Sequence, residues 1–202
     1  MDSIFELQFM NTDIYHLVHW FFLYSMLGWL VESVYISLCE RRVVNRGFIK
    51  GPICPIYGFG ALSVYFILLP IQNNYVLLYI FGALLATALE YITAVIMLKT
   101  LGSVWWDYNS KPYNYKGILC LESTVAWGFY TVIMFAFLQK FISFSVDHYT
   151  NWMGLRMGRF IACVFILYYL FAFNVKIIRE KMDSVPDAIV KVQKVWQQIR
   201  KY

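Results

Sequence analysis

The chain has 202 residues, 60% of them hydrophobic and 14% charged, with a mean hydropathy of +0.57. Soluble domains carry about a quarter charged residues and under about half apolar ones, so lipid must solvate much of this surface. The formal charge of +5 is no sign of nucleic-acid binding, because the basic residues are distributed by membrane side.

A transmembrane helix needs about 20 mostly apolar residues to cross about 30 Å of hydrocarbon. Five stretches meet or approach that length. The first runs from about Ile14 to Cys39. The second, about Pro55 to Leu69, is short and bounded by Pro52, Pro55 and Pro70. The third covers about Tyr75 to Leu98, the fourth about Ile118 to Leu138, and the fifth about Met157 to Phe173. The expected fold is all-α, a polytopic membrane bundle of five transmembrane helices over residues 1–175, with a cytoplasmic basic tail over 176–202. In that tail Ser184 and Asp187 mark a helix start. Ile189, Val192, Trp196 and Ile199 then share one face, flanked by Lys191, Lys194, Arg200 and Lys201. The pattern reads as an amphipathic helix on the inner membrane surface, with a partner-docking helix as the alternative.

Lysine and arginine support the count of crossings. The first loop carries Arg41, Arg42, Arg46 and Lys50; the third carries Lys99, Lys111 and Lys116; the tail carries seven more. Five crossings put fourteen basic residues on one side and three on the other. Basic residues in short loops mark the cytoplasmic side, which places the N-terminus outside a cell membrane and the C-terminus inside. Four or six crossings would scramble that segregation.

Three carboxylates interrupt the apolar runs: Glu32 in the first span, Glu90 in the third and Glu122 in the fourth. At about 1.5 Å per residue, Glu32 and Glu90 lie about 10 to 12 Å inside their cytoplasmic helix ends, and Glu122 about 6 Å. An ionised carboxylate in lipid costs several kcal/mol, so such groups face a bundle interior or a wet cavity. The structural alternative is that each accepts hydrogen bonds from Trp, Tyr or Asn and fixes helix packing.

The loops on that side are dense in Gly and Pro, which interrupt helix and give turns. Gly47, Gly51, Pro52 and Gly58 punctuate the first; Pro112 and Gly117 punctuate the third, with Asp107 and Asn114 among its aromatic residues. These loops pack at headgroup level or re-enter the membrane, where non-helical backbone survives only if protein or water satisfies it. Trp105, Trp106 and Tyr108 also fit an interfacial aromatic belt. The halves of the chain resemble each other loosely. In each, a helix bearing a glutamate precedes an Asn/Gly loop and then a returning helix that starts near a cysteine, Cys54 or Cys120.

Other features point to less. His16 and His19 read as interface anchors rather than metal ligands. The four cysteines form no CxxC pair, against a disulfide framework or a zinc site, and buried cysteines ordinarily act as small hydrophobes. Neither metal nor cofactor is expected. The first residues lack the basic stretch of a cleaved signal peptide, and no GxxxxGK[ST] phosphate loop occurs.

The run Gly47-Phe48-Ile49-Lys50-Gly51-Pro52-Ile53-Cys54-Pro55-Ile56-Tyr57-Gly58, with Trp106-Asp107-Tyr108 through Pro112, Asn114 and Gly117, resembles the ABC transporter type IV family. These are small bacterial multi-pass proteins, also called CmpB-like permeases. The resemblance covers about Leu27 to Gly128 and implies a permease-like role in the cell membrane, without bringing catalytic or substrate residues. The leading expectation is a transport component with a cytoplasm-facing polar cavity lined by Glu32, Glu90, Glu122, Asp107 and Asn114, with Arg46 and Lys50 balancing charge. A separate ATP-hydrolysing subunit or a second copy of the chain would be its partner, besides the lipid bilayer. A membrane-embedded enzyme acting on a lipid, or a sensor or assembly factor, are the alternatives; an enzyme is the less favoured.

Overall fold

The computed structural model describes residues 7–10, 12–45, 52–172 and 174–175. The protein is mostly helical. Six helices follow one another: α1 (Ile14–Glu40), α2 (Pro55–Leu68, continued by a 3-10 turn to Ile71), α3 (Tyr75–Leu101), α4 (Leu121–Ile133), α5 (Gln139–Met153) and α6 (Leu155–Ala172). A π-turn, Met134–Leu138, joins α4 and α5 into one 33-residue helix. Two small hairpins complete the described chain, β1 (Gln8–Phe9) with β2 (Thr12–Asp13), and β3 (Asn114–Tyr115) with β4 (Leu119–Cys120).

Local chemistry sets the ends of the long helices. Asp13 caps α1 by accepting from the His16 amide at 2.8 Å, and Asn74 caps α3 by accepting from Val76 and Leu77, both at 3.1 Å. Each cap satisfies amides that a helix start leaves orphaned. Arg41 and Gly102 then turn the chain out in the left-handed conformation.

Four helices are long and apolar enough to cross a membrane: Ile14–Glu40, Tyr75–Thr100, Leu121–Met153 and Leu155–Ala172. The expected fourth span ends too early. Residues 139–153, expected as a loop, continue the helix, because Gln139, Ile142 and Val146 lie on one buried face while the polar residues between them point away. Their mixed composition lowers local hydropathy without breaking helical periodicity, and the helix stops only at Gly154, where φ is 82°. The segment Pro55–Ile71 is shorter than these four, at about 25 Å of helix. The tail beyond residue 175, with its expected amphipathic helix, lies outside the described residues.

The short helix starts partway along α1. The Cys54 amide donates to the Ser25 carbonyl at 3.0 Å, fifteen residues before α1 ends at Glu40. From there α2 returns antiparallel along α1, until Phe66 meets Phe9 with ring centroids 5.5 Å apart. The second pair is built alike. Thr87 and Thr124 share a 3.0 Å hydrogen bond, so α4 also begins well before the end of α3. In both pairs the return helix starts from a buried cysteine, Cys54 or Cys120, as N-cap.

Small residues bring each pair together. A Cβ on Gly28 would collide with the Tyr57 ring, and one on Gly58 with Ser25 and Phe21. Across the other pair, a Cβ on Gly82 would strike Thr131, and one on Gly128 would strike Tyr79. The apolar core lies toward the opposite end from the loops, where Tyr15, Trp20 and Tyr24 of α1 cluster with Val64, Leu68, Leu78, Met134, Ile142, Val146 and Ala162.

Gly82→Ala and Gly60→Ala should have opposite signs, measured as thermal unfolding in detergent. At Gly60 an added Cβ meets open space, so the better helix former stabilises by up to about 1 kcal/mol. At Gly82 the buried Thr131 must give way, and overpacking of this kind costs about 1–3 kcal/mol.

Candidate functional site

Glu90 is the most deeply buried carboxylate among the described residues, 7% exposed. Its donors come from two directions. Trp127 on α4 donates its indole N–H to Oε2 at 3.1 Å, and Tyr108 in the loop donates its hydroxyl to Oε1 at 3.0 Å. Ser123 lies 3.4 Å from Oε2 but 2.9 Å from the Cys120 carbonyl. A hydroxyl has one proton, so the shorter bond claims it and the serine is a weak third partner. Among the described residues, every partner of Glu90 is a neutral donor.

The loop over residues 102–120 is folded so that Tyr108 reaches this acid. The Tyr108 amide donates to the Gly117 carbonyl at 2.8 Å, and the Trp106 indole donates to the Ile118 carbonyl at 2.9 Å. Lys116 and Gly117 both take positive φ, 53° and 69°, to turn β3 into β4. Glycine bears that conformation without strain. Burial and the neighbouring Glu90 charge push the Tyr108 phenol well above its ordinary value of 10.0, so it stays a proton donor. The stabilisation it brings is fully present below that ordinary value and is lost only as pH rises through the raised one.

Glu32 is half-buried on α1 and accepts from the Tyr57 hydroxyl at 3.0 Å. The Tyr57 ring lies 6.3 Å, centroid to centroid, from Trp127, the indole that holds Glu90. The neighbourhoods of Glu32 and Glu90 therefore abut through this aromatic pair. In each, the residue three beyond the capping cysteine, Tyr57 or Ser123, has its hydroxyl beside the acid.

The other expected residues take up positions apart from that pair. Glu122 is exposed and holds Lys111 at 2.8 Å; the hydrogen bond to Glu122, and then its charge, raise the Lys111 pKa. Asp107 accepts from the Asn109 amide at 2.8 Å, an Asx turn inside the loop. Asn114 donates to the Lys111 carbonyl at 2.8 Å and accepts from the Gly117 amide at 3.1 Å. Pro112 stands in the turn before β3, and Gly117 completes the turn after it. Pro52 is exposed ahead of α2, while Gly58 seats α1. Arg46, Gly47, Lys50 and Gly51 lie outside the described residues. The described residues hold no cluster of His, Cys, Asp and Glu able to bind a metal ion. Sequence reasoning missed Trp127 and Ser123 as partners of Glu90. Their four-residue spacing puts both on one face of α4, but nothing local says that this face meets α3.

Four long apolar helices around a buried acid define a polytopic membrane protein. Residues 19–177, well over half of the chain, match the family described as Putative ABC-transporter type IV, and the chain belongs to that family. The resemblance drawn from the loop motifs is thereby borne out over a longer stretch. No curated protein and no solved structure matches the chain.

Tyr108→Phe should lower the unfolding free energy by about 1–3 kcal/mol, the usual cost of leaving a buried acceptor without its donor. Glu122→Gln should move it far less, because solvent and salt screen an exposed pair. Chemical unfolding in matched detergent reads both.

Proposed function

We propose that this chain is the membrane-spanning permease component of a transport system, with a polar lining in the loop-bearing half of the bundle that faces the cytoplasm. Glu90 carries the reading. A carboxylate sunk into hydrocarbon and surrounded by neutral donors gains by taking a positive charge, either a proton or a cationic group of a solute. Glu32 abuts it through Tyr57 and Trp127, so two acids serve one region. Glu122, Asp107 and Asn114 then form the rim and the loop above it, and Arg46 and Lys50 supply counter-charge or contact lipid phosphate.

A return helix that begins at depth supports the same reading. Broken or shortened helices recur in transporters where backbone lines a solute path, and α2 starts beside the middle of α1. We take α2 as a full crossing, giving five. The N-terminus then lies outside, with the basic loops, the tail and its amphipathic helix in the cytoplasm. Without a phosphate-binding loop of its own, the chain would draw energy from a separate ATP-hydrolysing subunit, or work as a homo-oligomer on an ion gradient.

Two experiments test this. Whole-cell solute profiles by mass spectrometry should differ between cells expressing the protein and controls. Glu90→Gln and Glu32→Gln should abolish that difference at equal membrane abundance. Retention of the difference in both variants removes the reading. Alkaline phosphatase fused after Asn73 should be active and a C-terminal phosphatase fusion inactive; the reverse pattern overturns the orientation.

A further inference from the structure

At the end of the bundle opposite the loops, His16 lies between two carboxylates. Its Nδ1 is 2.8 Å from Asp13 Oδ2, and its Nε2 is 3.0 Å from Asp147 Oδ1. Asp13 is the N-cap of α1, whereas Asp147 comes from α5, 131 residues away in sequence. A carboxylate offers only acceptors, and a neutral imidazole has a single N–H. With one proton on the ring, one of its nitrogens therefore turns a lone pair toward a carboxylate oxygen. Both contacts are hydrogen bonds only when the cluster holds one more proton. Imidazole, at about 6.5 against about 3.9 for aspartate, is the base that takes it.

We propose that Asp13, His16 and Asp147 form a proton-binding clasp that ties α5 to the start of α1 when His16 is an imidazolium and loosens when it is neutral. Two other ties join the same helices, and neither involves a histidine or a carboxylate. Tyr24 donates to Gln139 Oε1 at 2.6 Å, and the Tyr15 and Thr150 hydroxyls lie 2.6 Å apart. The remaining groups around the ring are Tyr15, at 5.6 Å between centroids, and Trp20 at 6.1 Å. His19, one turn on, donates Nδ1–H to the Tyr15 carbonyl at 2.7 Å and packs against Tyr149 of α5 at 5.4 Å. From α6, Gly158 packs on the Tyr15 hydroxyl and brings no charge. Among the described residues, neither aspartate has a lysine or arginine as ion-pair partner. Protons reach the cluster freely, since the Asp147 side chain is 61% exposed.

The sign follows from the geometry. The clasp is closed below the midpoint of His16 and opens as pH rises through it. Because α5 continues directly into α4, which carries Trp127 and Ser123, the clasp acts on the same helix that holds Glu90. The proposal does not depend on the transport reading.

The test is NMR of full-length protein in lipid nanodiscs, labelled at its three histidines and followed from about pH 5 to 9. His16 should carry both ring protons at the acid end of that range and lose one as pH rises. Asp147→Asn, an isosteric change at an exposed position, should weaken proton binding at His16 by about two- to fivefold, the range for an exposed ion pair. Protection of the amides of residues 147–153, taken relative to the base-catalysed intrinsic exchange rate at each pH, should fall above the His16 midpoint. A His16 midpoint unmoved by Asp147→Asn, or amide protection in residues 147–153 that does not fall above that midpoint, overturns the proposal.

Discussion

The placement of one carboxylate organises half of this molecule. Glu90 sits in a helix whose other fully buried positions carry no polar side chain, and an acid there must be enclosed by donors. Neither α3 nor lipid can supply them. The loop over 102–120 therefore folds back along the last turns of α3 to deliver Tyr108, and α4 starts early enough to bring Trp127 level with the acid. The hairpin, its left-handed turn at Lys116 and Gly117, and the internal bonds of Asp107 and Asn114 all serve to hold that loop in place. Residues that looked like pocket lining are in part the scaffold of a single hydrogen bond.

The two ends of the bundle solve different problems. Toward the loops, return helices begin at depth and polar groups are matched one by one. Toward the other end, packing is apolar, and α1 and α5 are bound by a ladder of specific polar contacts: Tyr24 with Gln139, Tyr15 with Thr150, His16 with Asp147. The π-turn at Met134–Leu138 lies between these regions, in a helix that, like α1, takes part in both. Such turns occur often at functional sites. Here it adjusts the phase of the helix, so that Trp127 faces Glu90 on one side of it and Gln139 faces Tyr24 on the other.

The loose likeness between the halves has a structural counterpart. In each pair an acid-bearing helix of 27 residues is followed by a return helix capped by a buried cysteine, and each partner of the pair carries a glycine on which the other rests. The likeness stops at the acids' exposure. Glu32 is half-buried and Glu90 buried, so equivalent frames hold the same group in different surroundings.

Membrane residence was legible from the residues alone, because hydropathy is a property of composition that needs no contacts to express. The ends of α1 and α3 were legible for a similar reason, since Asp13, Asn74 and Gly102 act on their own neighbouring backbone. Span lengths were less so. Hydropathy falls at Gln139 although the helix continues, and only the surface of α1 gives Ile142 and Val146 something to bury against. The acids themselves could be read from the chain, but their company could not. Whether Glu90 meets Trp127 or Glu122 meets Lys111 depends on how α4 is rotated against α3. That rotation comes from close packing at Gly82 and Gly128, contacts between residues tens of positions apart that no local pattern encodes.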